Sequence, residues 1–126
     1  MREEKILVAL RPTILTKDAK SPSEQFQNGT IRPLLKFQHT IIVLFMSSNV
    51  HIQHILASNF SNLKKKNQIK LFIAKQVGFR SQLLGMISGL FTDAETQFYL
   101  SEKTSLDKRI SGMILERFID EIEKVR

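Results

Sequence analysis

Apolar residues recur along this chain at helical spacing, and no region alternates with period two for long enough to make a strand. The pattern predicts an all-α, single-domain bundle of about five helices, with residues 1–20 as an N-terminal arm and 21–126 as the helical domain. Within the arm, Glu3 to Leu10 suits a short helix or strand that Pro12 stops. Ser21-Pro22-Ser23-Glu24 is a capping box with Pro at the first helical position, and opens a helix running to about Ser47. Pro33 has no N–H for the carbonyl of Gly29, so a kink or break belongs there. Past it, Ile31, Leu34, Leu35, Ile41, Ile42 and Phe45 make an apolar stripe that encloses Gln38.

Ser47-Ser48-Asn49 ends that helix and caps a short one over Val50 to Ser58. After a turn at Asn59 to Asn62, residues 63–91 read as one long helix, apolar around most of its circumference and therefore central and buried. Thr92-Asp93-Ala94-Glu95 is a second capping box, starting a helix from Asp93 to about Leu100. Thr104 with Asp107 opens the last helix, whose stripe is Leu106, Ile110, Met113, Ile114, Phe118, Ile122 and Val125.

Composition narrows the function classes. The 126 residues hold 42% hydrophobic and 25% charged residues, ordinary for a folded domain. No cysteine is present, which removes disulfides, thiolate nucleophiles and sulfur metal sites. Met1-Arg2-Glu3-Glu4-Lys5 lacks the character of a signal peptide, and the longest apolar run, Ile41 to Met46, is far short of a bilayer span. The expectation is a cytoplasmic protein with no membrane partner. Net charge is +7 and polarised: +9 over residues 1–91 and −2 over 92–126. Such polarity suits an anionic partner or a second copy docking head to tail, where the plain alternative is a solvated basic face.

Several groups are candidates for chemistry. Ser81, Gly85 and Gly89, with Gly78, line one side of the long helix. Helical glycine costs up to about 1 kcal/mol against alanine, so the line asks for a close-packed helix, from this chain near Ser111-Gly112 or from a dimer partner. Arg80 falls mid-helix among apolar positions and needs a partner, either an acid such as Glu116 or Asp120 or an anion in a cleft. Arg32, Lys36, Gln38 and His39 stand within two turns and would extend an anion pocket with Arg80. Lys64, Lys65, Lys66 and Lys70 follow a short helix and a turn, as in the second helix of a helix-turn-helix, and are candidates for nucleic acid. His51 and His54 are weak metal candidates without a third ligand at a recognisable spacing. No catalytic residue, cofactor motif, phosphate loop or HExxH occurs.

Phe26-Gln27-Asn28, Ile31, Arg32-Pro33, Leu35-Lys36 and Gln38, then Phe79-Arg80, Leu83 and Gly85, then Gly89-Leu90-Phe91-Thr92 and Arg109 to Arg117, occur in an order that resembles a family of small bacterial helical proteins. Some members carry the label glyoxalase. Glyoxalases use paired βαβββ units with His and Glu metal ligands on strands, and neither feature is present in this sequence. The resemblance implies a helical fold and no established activity. The leading functional expectation is a non-enzymatic, homodimeric interaction or regulatory module. Its alternatives are a nucleic-acid binder through 64–70 and an anion-binding or enzyme site around Arg80. An acidic protein or nucleic acid would be the second partner.

Overall fold

The computed structural model describes residues 3–14 and 20–125, and it is helical throughout these, with no strand among them. The arm carries α1 (Glu4–Ala9). The domain then runs α2 (Pro22–Phe26), a π turn (Gln27–Ile31), α3 (Arg32–Phe37), α4 (His39–Ser47), α5 (Val50–Ala57), α6 (Asn62–Lys75), α7 (Val77–Ser88), α8 (Asp93–Ser101) and α9 (Lys103–Val125). The stretch 15–19 of the expected arm, and the side chain of Val125, lie outside the described residues.

Local start signals act as their chemistry dictates. Ser21 Oγ accepts from the N–H of Glu24 at 3.1 Å, while Glu24 reaches back to the N–H of Lys20 rather than that of Ser21. Asn49 Oδ1 accepts from Ile52 N–H at 3.0 Å, and Thr92 with Glu95 forms the complete reciprocal box. Pro33 withholds its N–H, and the chain answers with the π turn before it, where Arg32 N–H bonds back to the carbonyl of Gln27.

The expected long helix 63–91 is two helices. Gln76, at φ −92° and ψ 87°, turns the chain between α6 and α7. Val77, read from the sequence as part of a buried circumference, is 60% exposed. The central element is instead α9, which packs against α4, α6, α7 and α8. Its stripe of Leu106, Ile110, Ile114 and Phe118 is fully buried, the narrow apolar face that a single 3.6-residue period describes. A second unexpected break falls at Gln38, whose side-chain amide donates to the carbonyl of Met86 at 2.9 Å. With Phe45 stacked on Phe79 at 5.1 Å, this lays α4 antiparallel to α7.

The glycine line does not meet a helix of this chain. A Cβ on Gly78, Gly85 or Gly112 would find no atom within 4 Å, and Ser81, Gly85 and Gly89 are all exposed. The packing expected between Gly85 and Ser111-Gly112 is therefore absent: with the helix broken at Gln76, α7 turns its glycine side outward. Because Gly85 is interior to α7 and unobstructed, Gly85→Ala should raise stability by up to about 1 kcal/mol in urea denaturation; a loss would mean that something covers this position.

No single helix among the described residues is long and apolar enough to cross a membrane. The pair α4 and α5 together has that composition, but it bends by 80° and buries Ile42, Met46, Ile52 and Ile55 in the core.

Candidate anion-binding cleft

One side of α9 floors a cleft of about 1140 Å³. Its first wall is α3 and the start of α4, which bring Arg32, Leu35 and His39. The facing wall is the end of α6 and the start of α7, with Lys70, Ile73 and Arg80. The two breaks missed in the sequence make this possible. Gln38 turns α4 so that His39 faces α9, and Gln76 places Arg80 in the first turn of α7 rather than in a helix middle. From α9 itself come Lys108, Arg109, Arg117 and Lys124.

Charge in the cleft is unbalanced in a specific way. Of its four acids, two are held by cations from outside it, Asp107 by Lys103 (and the Tyr99 hydroxyl) and Glu116 by Lys66, while Glu121 lies 3.3 Å from His39. None of the seven lysines and arginines lining it belongs to an ion pair among the described residues. Several of them rest on neutral acceptors. Arg32 Nε donates to Asn28 Oδ1 at 3.1 Å, Arg109 forks onto Gln27 Oε1 at 3.2 and 3.3 Å, and Arg80 Nη1 donates to the carbonyl of Ala74 at 2.6 Å.

Arg117 is the most constrained. Burial, and then the like charge of Arg32, push its pKa down, against the opposing pull of Asp120. Its Nη1 lies 3.2 Å from His39 Nδ1. A guanidinium can only donate, so Nδ1 must be the unprotonated acceptor. The ring proton then sits on Nε2 and points at Glu121 Oε2, which makes His39 a neutral bridge between a cation and a carboxylate. An anion entering beside Arg32 and Arg117 would relieve their mutual repulsion.

The sequence-based candidates divide accordingly. Arg80, Arg32 and His39 come together in the cleft, but Arg80 is neither deeply buried nor paired to Glu116 or Asp120, because its guanidinium caps the end of α6 instead. Lys36 points to solvent and Gln38 is used on Met86, so neither lines the site. The lysine run does not form one basic face. Lys65 is buried and donates to the carbonyl of Leu56 at 2.9 Å, Lys66 is held by Glu116, and Lys64 lies over the Phe60 ring. Only Lys70 of that group reaches the cleft. His51 stacks on Phe72, His54 is exposed, and no cluster of three metal-ligating side chains occurs among the described residues. Lys108, Arg109, Arg117 and Lys124 were missed as site residues; only the i, i+7 spacing of Arg117 and Lys124, which puts both on one face of α9, could have marked any of them.

A second polar centre ties the arm to the domain. Glu95 accepts from Arg11 Nη1 and Nη2, both at 2.7 Å, from Thr30 Oγ1 at 2.8 Å and from Thr92 N–H at 2.8 Å. Burial alone would raise its pKa, but the Arg11, Thr92 and Thr30 hydrogen bonds outweigh it and hold the carboxyl at about 2. This centre is almost closed to solvent and lines no cavity, so its role is to fasten α1 and the π turn onto α8.

No family model, curated protein or solved structure matches the chain.

Proposed function

We propose that this chain is a non-enzymatic interaction module that receives an anionic partner in the cleft over α9. The observation that carries the reading is the set of seven cleft cations without an ion pair among the described residues, beside four acids of which two are already held by other cations. Leaving this much like charge uncompensated works against folding, and an anion offsets it. Calorimetric titration with citrate, inorganic pyrophosphate and poly-L-glutamate tests this. At least one should bind, more weakly as salt rises. The double variant Arg32→Ala/Arg80→Ala should weaken that binding at least tenfold, roughly 1.4 kcal/mol for two charge-assisted contacts. No binding, or binding indifferent to the double variant, removes the reading.

Self-association is a second reading, favoured by an exposed apolar ridge. Phe37, Ile41 and Leu44 follow one another at helical spacing and are 43%, 52% and 64% exposed. Gln38 and Phe45, between and beyond them, touch Met86 and Phe79 of α7, the helix whose Gly78 and Gly85 are open. On this reading the apolar ridge of one copy fills the glycine groove of another about a two-fold axis. Light scattering on a sizing column at micromolar concentration should then return twice 14.5 kDa, and Gly85→Leu should return the monomer mass. A single 14.5 kDa species for the unaltered chain ends it.

A further inference from the structure

We infer that the occupant of the cleft is an acidic segment of another polypeptide, laid along α9. The inference rests on the reading of the cleft as the binding site and specifies what the site takes.

Shape is the first argument. The floor runs from Thr104 to Lys124 along one helix, which is about 30 Å at 1.5 Å per residue. A volume of about 1140 Å³ spread over that length, with the radius of a water added at each wall, is an open groove about 9–10 Å wide. A single polypeptide segment fits its length and width. A compact anion would fill one end and leave most of the channel to water.

Charge distribution is the second argument. Arg109, Arg117 and Lys124 step along α9 at intervals of about 10–12 Å. In an extended chain, acids four residues apart on one face recur about every 13–14 Å, and on a helix acids seven or eight apart recur about every 10.5–12 Å, so either form sets acids within reach of these long cationic side chains. Between these cations stand Glu116, Asp120 and Glu121. A polypeptide can put neutral or apolar residues opposite them, where the half-buried Met113 offers apolar contact. A nucleic acid cannot interrupt its charge, because every nucleotide carries a phosphate. No phenylalanine or tyrosine among the described residues lines the channel, so bases would have no ring to stack on except that of His39, which is held at both nitrogens.

Gly112 supplies the test. It lies in the floor, and a Cβ there meets no atom within 4 Å. Gly112→Ala should leave the channel open, whereas Gly112→Phe should fill it. The probes are a fluorescein-labelled decapeptide with glutamate at every fourth position, an oligothymidylate of equal charge, and inorganic pyrophosphate, each titrated by anisotropy or calorimetry. The peptide is expected to bind at least tenfold more tightly than the other two, to be unaffected by Gly112→Ala, and to lose at least tenfold in affinity with Gly112→Phe. Circular dichroism and a thermal melt show whether Gly112→Phe is folded. If it is not, Ser111→Trp, on the same floor, replaces it. Tighter binding of the oligonucleotide overturns the inference. So does pyrophosphate binding that equals or exceeds the peptide's, an outcome that leaves the anion-binding reading standing. Peptide binding unchanged in a folded, channel-filling variant overturns it too. Failure of all three probes to bind removes both readings.

Discussion

Glu95→Ala is expected to destabilise the fold by about 3 kcal/mol, more than any other single polar substitution in this chain. The carboxylate gathers a bidentate Arg11, the Thr30 hydroxyl and the Thr92 N–H, so its removal leaves three elements without a shared acceptor. It also leaves the Arg11 guanidinium, whose side chain is 7% exposed, as an unpaired internal charge. Arg11→Ala should cost less, because Glu95 would keep its two threonine donors. The pH dependence separates this account from simple loss of a helix cap. The carboxyl sits at about 2 in the folded chain, against an ordinary 4.5. Its contribution is therefore complete above 4.5 and is lost as pH falls from there toward 2. Allowing for solvent screening of a partly exposed group, about 2 kcal/mol disappears across that window. Urea midpoints measured from pH 7 to pH 2 should fall more steeply for the unaltered chain than for Glu95→Gln. Parallel curves would remove the network as the source of the stability.

Phe91→Ala should be costlier still, at about 4 kcal/mol. Phe91 has no solvent exposure and stands at the joint between α7 and α8. Its ring meets Phe26 edge-on at 5.3 Å and Tyr99 at 5.4 Å. Truncation removes the transfer free energy of the ring, empties a space that three helices cannot collapse together, and loses both edge contacts. Phe91→Leu keeps most of the volume and should lose roughly half as much. Chemical denaturation monitored by circular dichroism measures both, and a loss below about 2 kcal/mol for alanine would show that the joint repacks.

What could be read from the chain alone follows the range of the interaction involved. Caps act over three or four residues, so Ser21, Asn49 and Thr92 announced their helices. The stripe of α9 was legible because one period runs unbroken from Leu106 to Phe118. The breaks at Gln38 and Gln76 were not, since neither residue opposes a helix by itself. Gln38 is held in its turn by a carbonyl 48 residues away, and the end of α6 is held by Arg80. Both breaks are tertiary decisions, and they misplaced the central helix and the environment of Arg80. The cleft was half visible. Arg32, His39 and Arg80 stood out by type and spacing, but nothing local shows that the polar side of α9 faces them. Glu95 was recognised only as a cap, because its other partners lie 65 and 84 residues away.

That last separation has a consequence for how the chain is made. The arm leaves the ribosome before the helices it docks on, with Ile6, Val8 and Leu10 turned outward and Leu7 as its one buried anchor among the described residues. Its latch, Glu95, is translated 84 residues later. At roughly 5–20 residues per second, this is a wait of about 4–17 seconds, far longer than helices need to form. Throughout that interval the arm is a nascent apolar segment without its latch, and it is then that a chaperone would meet it.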